Sequence, residues 1–586
     1  MDDEDIDPRS LLGFDDLDES TRNRRLLAWL SDDTQRAKLF ELIKAERGGT
    51  LKFPSRAGTP PAPGTGHATA ELITDRETIE DILLLRKPGE TYSNKVYSAL
   101  GDGNFMLELD RGSSSPHDAQ KAAFGCCFPI SQQSQIFERS FAACQAASII
   151  SLQTAAFDLA DFGMQSALWF CHKVMGYALK DFPVLEDVLG IGYKALVYQV
   201  LGRHFVTDPG VVVEAGQGMA ALLARTSELI DAYARDDKKA LVGCEYEKLP
   251  GDFVPMMLKL ARHAGNMNGQ QLAIIVLGSI IGTVGNVQAA ACIAIKEILA
   301  DQELQDKAVS LARKYPIDKE LTSCDEWKAL IQGAFRSNPP IPFLPRVRID
   351  ENGKATDVLL ALGGATVDTR DGDDPLVWGL PDDAPHWCAG KELAWPLICE
   401  IVRQVMYLPG LAQGLDPTDA RPVGLKKRWG FICEKYPLTY RRDERIVQTS
   451  LNVAMPLKSP AQDSAQKIRT LIRAGAPRIE QALREAKQVH FAWFEIIDED
   501  NACVLHTVYD GPFDAYIQDF ALKVGDVFDM LFDFIEEPPP RPVKQFPNEF
   551  VSLIKLFDRT PAGGYFFTAY PGSSASQIVD DAKGRK

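Results

Sequence analysis

Apolar residues recur at helical spacing through most of the segment from Glu71 to Ile317. Ser131–Ala160, Ala167–Leu179 and Val211–Ala234 read as its long amphipathic or apolar helices. Residues 21 to 46 predict one more helix ahead of them. Between lies Gly48–Gly66, GGTLKFPSRAGTPPAPGTG, whose glycines and prolines predict a loop or linker. Pro345–Ile349 and Asp357–Leu362 are strand candidates, followed by a helix running to about Met406. After Pro460 the pattern changes to a charged helix, Ala461–Lys487, then two strands, QVHFAWFEIID and ACVLHTVYD, around the turn EDN. Helices Phe513–Ile535 and Asn548–Phe557 and a strand, YFFTAYP, complete the tail, and no internal repeat is visible.

Leu272–Ile295 holds 24 residues without a charge, enough to span a bilayer. Asn286, Gln288, five alanines and the lack of a basic cluster at either end favour a helix buried within a large domain. The patterns together predict an acidic, disordered arm over 1–20, a mainly α body with small β-sheets over 21–457, and an α+β sandwich over 461–586. A ferredoxin-like arrangement is one form that sandwich can take.

At 586 residues the chain exceeds a single core. Its net charge of −17, with no dense Lys/Arg block, argues against a nucleic-acid partner. The start, MDDEDIDPRSLLGFDDLDES, resembles neither a signal peptide nor a transmembrane anchor. Eleven cysteines, scattered apart from Cys126 and Cys127, fit a reducing compartment, and a cytoplasmic location is expected.

One segment carries chemistry: Pro385–Leu397, PHWCAGKELAWPL. A cysteine at the mouth of a helix lies near unpaired N–H groups and the positive end of the helix dipole, which should lower its thiol pKa. Gly390 lets a flat group approach the backbone, and His386 can hydrogen-bond to an anion. Such a cysteine serves as a nucleophile beside a histidine base, as an axial ligand to heme iron, or as a buried core residue. Residues two apart on an entry loop seldom reach each other as nucleophile and base, which disfavours a cysteine hydrolase.

His386-Trp387-Cys388-Ala389-Gly390 with Leu393-Ala394 resembles the HxCxGxxLA heme loop of the cytochrome P450 family. Trp378-Gly379 is similar to that family's Phe-Gly, with about three extra residues between, and Ala384 stands where a glycine is usual. FMLELDRGSSSPHDAQK resembles the segment leading to a propionate-binding helix, matching His117 and Lys121 to its histidine and arginine. WKALIQGAFRSNPPIPFLPRV resembles the Glu-x-x-Arg helix and the strand after it. Arg336 and Arg346 match its two arginines, whereas Gly333 replaces the glutamate.

The resemblance covers about residues 70–457 and implies heme b, with Cys388 as thiolate ligand and His117, Lys121, Arg346 and His386 as propionate partners. The uncharged stretch becomes the helix crossing the heme, where Gly278, Gly282 and Gly285 share a face. Oxygen-activating members carry an acid and a threonine there to deliver protons. Thr283 is present, but Gly282 and Ile281 stand in the acid's place, and the nearest carboxylates in sequence are Asp252 and Glu297. The resemblance therefore implies oxidation or rearrangement of an apolar, lipid-like substrate, using peroxide or hydroperoxide, with Asn286 as a polar group to orient it. Oxygen with an external, ferredoxin-like electron donor is the other oxidant supply. A catalytically degenerate heme-binding scaffold is the alternative, and the tail is a candidate surface for oligomer formation.

Overall fold

In the computed structural model, residues 21–46 form two helices rather than one. α1 (Glu19–Ser31) and α2 (Asp33–Arg47) meet at Asp32. The Asp32 carboxylate accepts from the backbone N–H groups of Thr34 and Gln35, which caps α2 and ends α1. The described residues run from 7 to 584, without 14–17, 57–68, 87–90, 94–108, 111–115, 125–132, 153–155, 176–191, 207–209, 228–268, 315–323, 364–375, 381–385, 441–447, 498–500, 561–569, 571–572 and scattered single positions. Cys126, Cys127 and Asp252 lie outside them.

Two expectations for the N-terminal region fail. Pro8–Leu12 is a 3-10 turn with Leu11 and Leu12 buried, so the acidic arm is anchored there by apolar packing. The Gly/Pro-rich segment contains a strand, β1 (Thr50–Pro54), because Leu51 and Phe53 alternate toward the core. β2 (Thr69–Ile73) and β3 (Thr91–Ser93) follow. β4 (Ala156–Asp158) joins a separate small sheet. The expected strands appear as β5 (Phe343–Ile349) and β6 (Ala355–Ala361). They complete a sheet in the order β1-β2-β6-β5-β3, with β2 and β6 parallel and the other neighbours antiparallel.

The central helix, Gly269–Ala300, packs against helices Leu159–Met175, Asp325–Ser337 and Lys391–Tyr407. It is long and apolar enough to cross a membrane, yet 78% of its apolar window is covered by the rest of the fold. Gln288 is satisfied inside, donating to the Ala160 carbonyl at 2.8 Å. At its C-terminal end Lys296 pairs with Asp33 of α2, which also meets Arg36 and Lys427. That cluster ties the N-terminal helices to the body. β7 (Ala412–Gln413), β8 (Lys426–Arg428), β9 (Ile432–Lys435) and β10 (Pro437–Thr439) form short pairings, β4-β10-β7 and β8-β9.

β11 (Gln448–Pro456) corrects the domain boundary. It pairs antiparallel with β13 (Ala502–Asp510), which pairs in turn with β12 (Val489–Ile497). The C-terminal sheet thus begins before residue 457, inside the span expected for the body. Its order is β11-β13-β12, with helix Ala461–Ala486 between β11 and β12 in the chain. The expected strand YFFTAYP lies outside the described residues apart from Tyr570. Helices Ala461–Ala486 and Phe513–Leu531 contact each other, and Pro547–Phe557 packs against Gln133–Ser151 of the body, within one continuous apolar core.

Candidate active site

A short turn, Leu376–Trp378, leads into the cysteine loop. Gly379 follows at φ +78°, where a Cβ would come 3.3 Å from the Trp387 Cα, so the tight reversal needs glycine. The Trp378 carbonyl accepts from the Cys388 N–H at 2.8 Å, closing the loop. Gly390 then caps helix Lys391–Tyr407 without a side-chain partner. Burial pushes the Cys388 thiol above its ordinary pKa, while the Gly390 and Lys391 N–H groups and the Lys121 and Lys391 charges pull it back only partly. The expectation of a lowered pKa fails for the free thiol because desolvation outweighs the helix mouth.

Cys388 opens into a cavity of two adjoining lobes, with empty volumes of about 1260 and 970 Å³. Gly278, Gly282 and Asn286 of the central helix line both lobes, as do Trp378, His386 and Cys388. Segments about a hundred residues apart in sequence thus face one space. The glycines of the central helix do not act alike. A Cβ on Gly282 would meet no atom within 4 Å, whereas one on Gly285 would lie 2.3 Å from the Tyr193 ring. Gly282 is open to a ligand; Gly285 seats a protein side chain. Gly390 is likewise open, with only the Cys388 sulfur 3.9 Å from the Cβ position.

Cations gather near the second lobe. The His117 and His386 rings meet edge to face at 4.6 Å, and Lys121 Nζ lies 4.5 Å from the Trp387 ring centre. Arg346 is buried on β5, its guanidinium donating to the Pro345 carbonyl at 2.8 Å. Burial, with the charges of Arg346, His117 and Lys121, drives His386 down to about 2, so it is neutral. His117 contacts Asp118 at 2.8 Å. His386 Nδ1 and Trp378 Nε1 are buried without a hydrogen-bond partner among the described residues, which is costly unless a ligand supplies one. Flat open space between glycines, a thiol, clustered cations and orphaned polar atoms fit a heme bearing two propionates.

Other residues fall elsewhere. Gly333 is exposed, so no side chain reaches Arg336 from the missing glutamate's position. A different buried pair, Glu400 with Arg403, sits one turn apart on the helix after the cysteine, and Gln404 donates to Glu400 at 2.8 Å. The Thr283 hydroxyl donates to the Ser279 carbonyl at 2.8 Å and lines the second lobe. Glu297 is engaged by Lys296, and no described carboxylate lines either lobe. Tyr193 was not singled out in the sequence, and Trp378 was matched only as the counterpart of a phenylalanine, without a role for its indole N–H. Their significance lies in contacts that no local pattern encodes.

No family model matches the sequence, and no curated protein does. Solved structures do. Substrate-free CYP109E1 from Bacillus megaterium superposes with a TM-score of 0.52 at 11% identity, covering 70% of this chain and 100% of that one. CYP164A2 from Mycobacterium smegmatis gives 0.51 at 15%, covering 71% and 99%, and CalO2 gives 0.50 at 16%, covering 70% and 96%. The chain has the cytochrome P450 fold. The Cys388 loop and the central helix line the same two lobes. Nearly the whole of each neighbour is matched, whereas 70–71% of this chain is.

Proposed function

We propose that the protein is a heme-thiolate enzyme of P450 type that oxidises or rearranges an apolar, lipid-like substrate with a peroxide or hydroperoxide. One observation carries this reading: Cys388 lines the same largely apolar cavity as Gly278 and Gly282, and no described carboxylate lines it. Heme b bound there would supply a thiolate-ligated iron able to assist O–O cleavage. Cys388 provides the thiolate. Lys121 and Arg346 offset propionate charge, and neutral His386 with His117 completes that edge. Gly278, Gly282 and Gly390 leave room for the ring.

Among the described residues, no carboxylate lines the cavity where proton delivery from the central helix would need one. A hydroperoxide brings its O–O bond already formed and lowers that demand, which favours it over oxygen and an external electron donor. Asn286 is the amide available on the distal wall to orient it. The cysteine hydrolase alternative loses support, since His386 makes no hydrogen bond to Cys388 among the described residues. The degenerate scaffold draws support from exposed Gly333. A cytoplasmic location and oligomer formation through the C-terminal unit belong to the same proposal.

The test is the visible spectrum of the purified protein, oxidised and then reduced under carbon monoxide, beside Cys388→Ala. A red-shifted Soret band that disappears in the variant is expected, with turnover of an organic hydroperoxide. A protein that takes up no heme when heme is supplied would overturn the catalytic reading. Heme binding without turnover would favour the scaffold.

A further inference from the structure

We infer that Tyr193 positions the Asn286 amide so that its Nδ2 acts as hydrogen-bond donor to the substrate, which is therefore an apolar molecule carrying an acceptor oxygen. This rests on the proposed reading of the cavity as the substrate site. Tyr193, in helical residues 192–198, is 93 positions from Asn286, yet its phenol O–H donates to Asn286 Oδ1 at 3.1 Å. Its ring lies on the bare backbone of Gly285, where a Cβ would stand 2.3 Å away. The phenol is held at both ends.

Burial raises the Tyr193 phenol above its ordinary pKa, so it remains protonated and a donor. The phenol engages one lone pair of Oδ1 and sets the orientation of the amide, whose Nδ2 then presents its two N–H groups as donors. Asn286 lines both lobes and makes no other hydrogen bond among the described residues. The neighbouring polar groups on that wall are already committed. Ser279 donates to the Ile275 carbonyl at 2.6 Å and Thr283 to the Ser279 carbonyl at 2.8 Å. The rest of the central-helix wall is apolar, with Ile274, Ile281, Val287 and Ala290.

A ketone, ester or hydroperoxide oxygen would take that hydrogen bond, while a hydrocarbon of the same shape would leave the donor unpaired. Asn286 is then a specificity-determining residue and Tyr193 its positioning residue. Their bond also joins residues 192–198, which supply Leu196 and Val197 to the first lobe, to the central helix.

The test compares 2-octanone with its shape-matched alkene, 2-methyl-1-octene, by calorimetric titration of the heme-supplemented protein at pH 8. The wild type should bind the ketone about tenfold more tightly. Asn286→Asp keeps an acceptor for the Tyr193 phenol but removes the N–H donor, and its preference should vanish. Tyr193→Phe keeps the ring on Gly285 and should lose about threefold of the preference, because the amide can turn. A preference unchanged in Asn286→Asp would overturn the inference and leave the pair a tether between helices. Absence of a Soret band would defeat the heme reading alone, because the calorimetric preference reports on the amide with or without heme.

Discussion

At the scale of single residues, the glycines of the central helix separate two roles that one spacing disguises. Gly285→Ala would force a Cβ into the Tyr193 ring, and overpacking of this kind costs about 1–3 kcal/mol. Gly282→Ala meets open space and should gain up to about 1 kcal/mol of helix stability. Thermal denaturation of the apo protein should therefore lower the midpoint for the first variant and raise it for the second. Heme uptake should suffer in Gly282→Ala despite its greater stability, because the added methyl enters the cavity. The shared face of Gly278, Gly282 and Gly285 was legible from their spacing. Which glycine meets protein and which meets space was not, since the Tyr193 ring that meets Gly285 comes from a distant part of the chain. The cysteine loop was far more legible, because Cys388, His386 and Gly390 act within five consecutive residues.

At the scale of elements, local signals predicted type better than partnership. The residues of β11 alternate well enough to be a strand, but nothing within them tells which unit owns it. The start of α2 was readable in principle, for Asp32 is a favourable cap residue, yet the apolar periodicity ran through the break. The far edge of β11 carries a pH-sensitive contact. Asp558 bridges to Val453, accepts from the Thr560 N–H at 2.7 Å and is buried. Burial raises its pKa from 3.8 to about 6 against the opposing pull of Thr560, the backbone and Arg559. The folded state therefore holds a proton that the unfolded chain releases between those values, and stability falls as pH rises from about 4 to 6. The loss amounts to roughly 3 kcal/mol, because each tenfold change in proton affinity is worth about 1.4 kcal/mol. Asp558→Asn should flatten that part of the profile and be more stable than wild type at pH 7, but not at pH 3.5. Denaturant unfolding at both pH values checks this, and an unchanged slope in the variant would assign the dependence to other groups.

At the scale of the molecule, the elements from β11 onward pack as part of the body rather than as a separate bead. Phe550, Leu553 and Ile554 of helix Pro547–Phe557 are buried, and that helix packs against Gln133–Ser151 of the P450 body. The apolar core runs without interruption from Leu11 to Phe557. Continuity of buried apolar surface couples the unfolding of the two parts, because opening either one exposes the face of the other. Scanning calorimetry of the full chain should show one cooperative transition, with calorimetric and van't Hoff enthalpies in agreement. Ending the chain at residue 447, before β11, should lower the midpoint of the remaining P450 body and expose apolar surface to a hydrophobic dye. Two separated transitions, with the lower or upper one preserved in the shortened chain, would instead make the C-terminal unit an independent domain. The single-transition outcome would mean that the C-terminal elements support helix Gln133–Ser151, which contacts the cysteine helix Lys391–Tyr407. Their influence on the cavity would then pass through packing, since none of their described residues lines either lobe.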